Sequence, residues 1–226
     1  MEAVFAVAFF WDLAAETSYG AAGPAEVEQL KNIALAVHNS PTLKHFILSA
    51  LPGSSRSPRG RLPVPHFDYK QVAVDWIKAN TPELWKKTTE FWAGFYAANF
   101  VTLGPLGFRR IGASETRFLM SPSKPVYANT GIVIEAILKA GPRAFTKTVV
   151  LVTDNVSWED VAVSYERVTG RKAVYIQATD AAYEKLYDDG FGAEFALQMH
   201  WSEEYPDWHA VAGENVLTVE ELGVAD

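Results

Sequence analysis

Two ionisable side chains, His66 and Lys70, are four residues apart in this 226-residue chain. Apolar residues recur after Asp68 at helical spacing, which predicts a helix over residues 68–79 that Asp68 caps. Residues four apart share a helix face, so the imidazole and the ammonium would flank the buried stripe. An imidazole that titrates at about pH 6.5 can deliver a proton, and an ammonium can hold hydroxyl groups. The alternative is structural: Lys70 extends along apolar surface to solvent, and His66 only precedes the helix.

Composition excludes several kinds of function. Hydrophobic residues make up 49% of the chain, which is ample for a packed core. The formal charge is −7 and basic residues form only short pairs, so nucleic acid is not expected as a ligand. The chain has no cysteine, and its five histidines lack the spacing of metal ligands. We therefore expect neither a disulfide nor a metal site.

Residues 3–11 form a continuous apolar run near the N-terminus. Glu2 stands where a signal peptide would carry positive charge, and Asp12 closes the run. Nine apolar residues are too few to cross a bilayer, so no membrane association is expected. The run is predicted to be a strand of a parallel sheet covered on both faces. A cytoplasmic location follows, or a nuclear one if the protein is a regulator.

The first hundred residues have a β-α-β pattern. A loop over residues 12–23 is predicted to lead into a helix that begins at Pro24, followed by a strand at 45–49 and another at 88–93. Such a pattern favours a doubly wound α/β fold, in which the carboxyl ends of the strands face a ligand crevice. Residues 8–11, 49–51 and 94–99 are then expected to line one rim near Lys70.

The second half of the chain alternates again after a Gly- and Pro-rich stretch at 101–126. We predict a helix at 130–139 and a strand at 148–152. Ser157 and Asp160 form a variant capping box for a helix that Gly170 closes. A strand at 172–177, a helix from Thr179 to 190, a helix around 193–200 and a capped turn at Thr218 complete the chain.

Five segments, in their order along the chain, resemble the NmrA-like family, an atypical short-chain dehydrogenase group of NAD(P)-binding Rossmann proteins common in fungi. They are residues 3–7 with Phe10 and Trp11, residues 45–52, residues 66–70, residues 94–100 and residues 147–154. The resemblance implies an α/β fold with a partial Rossmann-like parallel sheet and a smaller C-terminal α/β subdomain. Residues 1–102 would be the remnant of the dinucleotide-binding domain, and residues 103–226 the interleaved substrate or partner subdomain.

The sequence departs from this family at its start. Family members begin with a strand, a Gly-rich turn and a helix, whereas no G-x-G-x-x-G occurs near Met1. Compared with the family, the first three strands would be missing, so the chain is expected to be N-terminally truncated. The helix N-terminus that holds the pyrophosphate would be absent with them. We therefore expect this chain alone to bind a dinucleotide weakly or not at all.

The resemblance also assigns site residues. Ser49 and Lys70 occupy places of the dehydrogenase catalytic set, and His66 stands where the Tyr would be. The family's cofactor contacts would fall on a second group of residues, namely Ala8, Phe9, Phe10, Lys70, Tyr96, Ala97, Ala98 and Asn99. Relatives often carry a Thr-Asn pair in place of Ala8 and Phe9, and a Gly in place of Tyr69. These changes remove two hydrogen-bonding side chains from the expected cofactor loop.

Three functions remain open at this stage. The first is, for the complete protein, an NADPH-dependent reductase of a small metabolite, secondary metabolites included, with NAD as the other cofactor. The second is a non-catalytic, dinucleotide-sensing regulator that has a protein partner. The third is a truncated remnant without activity. In this chain expressed alone, the first strand would present an unpaired edge, so self-association through that strand is expected.

Overall fold

A parallel four-stranded sheet forms the centre of the fold. The protein is described by a computed structural model over residues 2–57, 62–96, 99, 109–110, 117–119, 127–152, 155–187 and 190–224. Strands β1 (Ala3–Ala6), β2 (His45–Ala50), β3 (Thr88–Ala93) and β6 (Thr148–Leu151) pair in that order, all parallel. The predicted α/β class with a parallel sheet is confirmed.

A second, three-stranded sheet belongs to the later part of the chain. It contains β4 (Arg109–Arg110), β5 (Arg117–Leu119) and β7 (Ala173–Tyr175) in that order. Strand β4 is antiparallel to β5, and β5 is parallel to β7. The division of the chain at residue 102 stays a prediction, although β6 joins the large sheet from the second half.

Helices connect and cover these strands. They are α1 (Phe10–Glu16), α2 (Tyr19–His38), α3 (Pro65–Asn80), α4 (Pro82–Trp85), α5 (Tyr127–Ala140), α6 (Trp158–Thr169), α7 (Asp180–Leu186), α8 (Phe191–Glu204) and α9 (Trp208–Ala212). Short 3₁₀ turns lie at Ser54–Arg56, Gly141–Ala144 and Gly213–Asn215. The apolar face of α2 contributes Leu30 and Ala34 to the main core, and the face of α3 contributes Ala73 and Ile77.

The predicted strand at 3–11 is too long. Strand β1 ends at Ala6, and helix α1 begins at Phe10. The expectation that both faces are covered is also wrong, because Phe5 is 38% exposed and Val7 is 53% exposed. Among the described strands β1 pairs only with β2, so it forms an edge of the sheet. An edge strand lacks the cover that an interior parallel strand receives.

The loop predicted at 12–23 is largely helical. Helix α2 begins at Tyr19, because the hydroxyl of Ser18 accepts a hydrogen bond from the backbone N–H of Ala21 (3.2 Å) and caps it. Pro24 therefore lies inside the helix and does not start it. Because proline has no backbone N–H, the helix lacks one hydrogen bond at this position.

Asp68 is not the cap that the sequence predicts for α3. The helix begins at Pro65, whose fixed φ suits the first helical position, so His66 lies in its first turn. The Asp68 carboxylate instead accepts hydrogen bonds from the Ser54 hydroxyl (2.9 Å) and the Ser55 backbone N–H (3.0 Å). Asp68 therefore ties the loop after β2 to the start of α3.

Several local predictions are confirmed. Strands β2, β3 and β6 lie where their apolar runs predict them, within one residue at each end. Ser157 and Asp160 form the predicted capping box at the start of α6. Gly170 ends that helix with φ of 68°, a left-handed conformation that glycine adopts without steric cost. The helix after Thr179 is shorter than predicted and ends at Leu186.

Candidate functional site

Lys70 is buried in an ion pair with a residue that the sequence analysis did not select. Its Nζ lies 2.7 Å from Oε1 of Glu26 on α2 and donates a second hydrogen bond to the backbone carbonyl of Ala8 (2.8 Å). The two side chains are 8% and 0% exposed. The alternative in which Lys70 extends to solvent is therefore wrong. Its ammonium binds α3 to α2 and to the segment after β1.

Gln71, the next residue, makes a similar connection. Its side-chain amide donates to the backbone carbonyl of Leu51, just after β2 (2.7 Å), and to Oε2 of Glu90 on β3 (3.1 Å). Lys70 and Gln71 thus satisfy carbonyl groups that follow two neighbouring strands. Helix α3 closes part of the rim that the sequence predicts as a ligand crevice.

His66 is buried against an acidic residue from the far end of the chain. Its Nδ1 lies 2.6 Å from Oε1 of Glu194 on α8, and its backbone N–H donates to the same oxygen (2.9 Å). The ring also packs against Trp11, with 4.8 Å between ring centroids. Nε2 has no hydrogen-bond partner in the described part of the chain. Glu194 fixes the orientation of this imidazole.

The other expected site residues are placed less closely together. Ser49 lies on β2, is half-buried and makes no side-chain hydrogen bond to Lys70 or His66. Tyr96 packs against the cluster around Phe91, and its carbonyl accepts the backbone N–H of Asn99 (2.8 Å). Ala97 and Ala98 lie outside the described residues. Their roles as cofactor contacts stay predictions.

The expected cofactor loop after β1 offers little to a ligand. Ala8 and Phe10 are buried, and the carbonyl of Ala8 is occupied by Lys70. Phe9 is exposed but apolar, and it precedes α1. The ring of Phe10 lies 5.7 Å from that of His66. These three residues supply no polar side chain for a phosphate or a ribose.

A cavity of about 600 Å³ lies next to these residues and not on them. It is bounded by Gly94 and Phe95 after β3, by Leu151 and Val152 at the end of β6, and by parts of α6, β7, α7 and α8. A volume of this size suits a small molecule. Lys70, His66 and Ser49 are not among its described lining residues, whereas the predicted segment 94–99 reaches it through Gly94.

Helix α8 lies between the His66–Glu194 pair and the cavity. Glu194 points from it to His66, while the next residues, Phe195 and Ala196, line the cavity. Phe195 also contacts Phe95 across the sheet end, with 6.1 Å between ring centroids. The two regions are therefore separated by the thickness of one helix.

Two of the acidic residues could have been found from sequence. Glu26 precedes Leu30 and Ala34 by four and eight residues, so it lies on the same buried face of α2. An acid at such a position requires a buried cationic partner. Glu194 likewise precedes the fully buried Trp201 by two helical turns. Neither residue belongs to a recognisable motif.

Within the described residues no helix is long and apolar enough to cross a membrane. Over the same part of the chain, no group of three His, Asp or Glu side chains is arranged to hold a metal ion.

The fold and these positions define an α/β protein of the Rossmann type. The sequence model of the NmrA-like family matches residues 6–222, so the chain belongs to the NmrA-like family. The resemblance seen in the sequence is thereby confirmed. A search of curated proteins finds no match.

Solved structures show the same fold at low identity. NmrA, a negative transcriptional regulator, in complex with NAD is 18% identical, with a TM-score of 0.63, over 92% of this chain and 61% of NmrA. Another crystal form of NmrA gives 20% identity, a TM-score of 0.59, and coverage of 82% and 58%. A nucleoside-diphosphate-sugar epimerase from Staphylococcus aureus is 15% identical, with a TM-score of 0.62 and coverage of 95% and 69%. The chain thus spans about three fifths of the length of NmrA.

The residues of this chain fit a dinucleotide only in part. Lys70 uses two of its three ammonium hydrogens on Ala8 and Glu26, which leaves one for a hydroxyl group. Glu26 Oε2 is buried without a hydrogen-bond partner within the described residues. No described cation is free for a pyrophosphate beside the Ala8 loop, because Glu26 neutralises Lys70. The described residues therefore do not fit the phosphates of NADP or NAD.

Proposed function

We propose that this chain is a non-catalytic, ligand-binding member of the NmrA-like family, a regulator that takes a small molecule in the cavity beside α8. One observation carries the proposal. His66 and Lys70, the two groups best suited to proton chemistry, are each held in a buried pair and neither lines the cavity. A substrate seated in the cavity would therefore not touch them. The regulatory role of NmrA is consistent with this proposal. Such a regulator would act with a protein partner in the cytoplasm or the nucleus.

Hydride-transfer assays test this proposal. Purified protein is mixed with NADPH or NADH and a panel of aldehydes and ketones, and cofactor oxidation is followed by absorbance. We expect no oxidation above the rate of a Lys70→Met variant. Calorimetry with NADPH should give a Kd weaker than about 10 μM, equivalent to roughly −7 kcal/mol. Turnover that both Lys70→Met and His66→Phe abolish would disprove the non-catalytic role.

An NADPH-dependent reductase, with NAD as the other cofactor, is the second candidate. The His66–Glu194 pair favours it, because a carboxylate on Nδ1 orients the ring while Nε2 makes no hydrogen bond to a described residue. In this candidate His66 delivers the proton, Lys70 holds hydroxyl groups and Ser49 orients the substrate. The cofactor would supply the hydride.

The pH dependence of any turnover separates the two candidates. For a reductase, His66→Gln should change the pH profile of kcat/KM because it removes the proposed proton donor, and Glu194→Gln should change it because the carboxylate that orients the ring is lost. A variant at the exposed His38 should leave the profile unchanged. If the His66 variant has the same pH profile of kcat/KM as the wild type, the imidazole takes no part in the reaction.

A further inference from the structure

One end of the cavity combines parallel aromatic rings with carboxylates. Trp158 at the start of α6 stacks on Tyr175 of β7, with 6.1 Å between ring centroids and 9° between ring planes. Glu159 follows Trp158 on α6, and Glu203 lies in the last turn of α8. All four residues line the cavity. Two helices and one strand therefore place rings and acids around one opening.

The two glutamates at this end have no cationic partner in the part of the chain that the structure describes. Neither Glu159 nor Glu203 makes an ion pair or a side-chain hydrogen bond with another described residue. Both carboxylates lie close enough to the phenol of Tyr175 to raise its pKa further, after the larger effect of burial. Both side chains are exposed at the rim, so water solvates them and neither requires a protein partner. Their charge is available to a ligand.

Among the described residues, the rest of the lining contributes no lysine or arginine, and its one histidine, His200, pairs with Asp180. Asp180 is a third carboxylate, and its Oδ1 accepts from Nε2 of His200 (2.7 Å). Neither lysine nor arginine occurs among the described lining residues. A phosphate or carboxylate group would be repelled here, which separates this cavity from a dinucleotide phosphate site. The deeper walls, Phe95, Phe195 and Met199, are apolar.

We propose that this cavity binds an organic cation, an arylalkyl- or alkylammonium ion, with the ammonium among Trp158, Tyr175, Glu159 and Glu203 and the apolar body against Phe95 and Phe195. Aromatic faces attract cations through the ring quadrupole, most strongly at Trp. The unpaired carboxylates supply the complementary charge, and a volume of about 600 Å³ accommodates one ring with a short chain. The inference names the ligand class of the proposed function, since it takes the same cavity as the binding site.

Three ligands of nearly equal shape test the charge preference. 2-Phenylethylammonium, 2-phenylethanol and 3-phenylpropionate are titrated into the full chain by calorimetry at pH 7.5 and low salt. We expect the ammonium ion to bind at least about tenfold more tightly than the alcohol, and the carboxylate more weakly than both. Equal affinity for the ammonium ion and the alcohol would overturn the proposal, as would no binding of the ammonium ion.

Variants then locate the site. Glu159→Gln and Glu203→Gln should each weaken ammonium binding about threefold or more, and the double variant should erase the preference over the alcohol. Glu214→Gln, an exposed glutamate on the turn after α9, is the matched control and should change nothing. Unchanged preference in the double variant would place the cation elsewhere and overturn the proposal. Equal melting temperatures of the variants show that folding is intact.

The failure of this inference is distinguishable from that of the proposed function. Reduction of a carbonyl compound by NADPH would disprove the non-catalytic role whether or not the ammonium ion binds. Loss of the charge preference, with no turnover, would overturn only the ligand class. The two experiments share neither a probe nor a variant.

Discussion

Two regions of the molecule, the start of α3 and the rim of the cavity, use ionisable residues in opposite ways. At the start of α3, the buried ammonium and imidazole each have a carboxylate partner, in the pairs Lys70–Glu26 and His66–Glu194. Toward the cavity, Glu159 and Glu203 have no described partner but are exposed at the rim. The comparison teaches that residue type alone does not identify a binding site. Access to solvent decides whether a charged side chain is available to a ligand or is paired with another residue in the core.

The physical basis of this difference is desolvation. Moving a carboxylate from water into the core costs several kcal/mol of solvation free energy, unless a nearby cation and hydrogen bonds compensate for that cost. Glu26 is fully buried, so its pairing with Lys70 is a condition of folding. Glu159 and Glu203 keep their hydration, so pairing is not required. Substitutions in the two regions test this division.

Removal of the Lys70 ammonium should produce the largest loss of stability. Lys70→Ala leaves the Glu26 carboxylate buried without its cation, and we expect the free energy of unfolding to fall by about 3–5 kcal/mol in urea denaturation. Lys86→Ala is the control, because its pair with Glu83 is exposed on both sides and should contribute little to the free energy of unfolding. The double variant Lys70→Met with Glu26→Leu should recover much of the loss. Equal stability of the Lys70 and Lys86 variants would contradict the importance of the buried pair.

Lys78 on α3 lies between these two cases. Its Nζ lies 3.2 Å from Oε1 of the buried Glu90 and 4.3 Å from the centroid of the Trp85 ring. Lys78→Ala should therefore lower the free energy of unfolding by less than Lys70→Ala and by more than Lys86→Ala.

Acid should destabilise the sheet region through His45. Burial lowers the pKa of His45 from 6.5 to about 4. Its Nε2 lies 2.8 Å from the Thr89 hydroxyl, which donates onward to the Ala144 carbonyl (2.6 Å), so Nε2 carries the proton. Nδ1 is buried without a partner among the described residues. Protonation at Nδ1 would place an unpaired charge in the core.

The sign of this pH effect follows from the direction of the shift. The unfolded chain binds the proton more readily, so stability is complete above pH 6.5 and falls as the pH drops toward about 4. The loss should reach about 3 kcal/mol, measured by urea denaturation at several pH values. His45→Gln should flatten the dependence, whereas His38→Gln on the exposed end of α2 should not. If the pH dependence of stability persists in His45→Gln, a group other than His45 causes it.

The close contact between α2 and α3 should be sensitive to one methyl group. A Cβ on Gly23 would lie 2.0 Å from atoms of the Tyr69 ring, so Gly23→Ala should destabilise by about 1–3 kcal/mol. Gly20→Ala on the same helix meets no atom within 4 Å and should be neutral or stabilising by about 0.5–1 kcal/mol. Thermal unfolding of both variants provides the measurement. If they behave alike, the helices that hold Lys70 and Glu26 pack less tightly than described.

The smallest effect on the folded monomer is expected at the edge of the sheet. Val7→Lys adds a charge beside the open edge of β1 and should change the free energy of unfolding by less than about 0.5 kcal/mol. It should nevertheless reduce self-association, seen as a lower apparent mass by light scattering. Val168→Lys is the matched control, since Val168 is 80% exposed on α6. A parent protein that is monodisperse at high concentration would contradict association through β1.

The sequence by itself determined the features that depend on nearby residues. Strands β2, β3 and β6 follow from their apolar runs, and the Ser157 capping box and the Gly170 end of α6 follow from local backbone chemistry. The spacing of His66 and Lys70 on one helix was predictable for the same reason. The predicted start of α2 was wrong because the pattern places the first helical residue at Pro24, whereas the Ser18 side chain caps the helix at Tyr19.

Only the tertiary structure decided which of these residues are available to a ligand. Glu26 and Glu194 reach Lys70 and His66 across separations of 44 and 128 residues, and no local periodicity encodes such partners. The cavity likewise depends on strand ends, α6, β7 and α8 meeting in space. Burial is a property of the packed chain, and burial sets the free energy of each charge. The fold therefore turned two candidate catalytic residues into paired core groups and left the unpaired charge on two glutamates at the cavity rim.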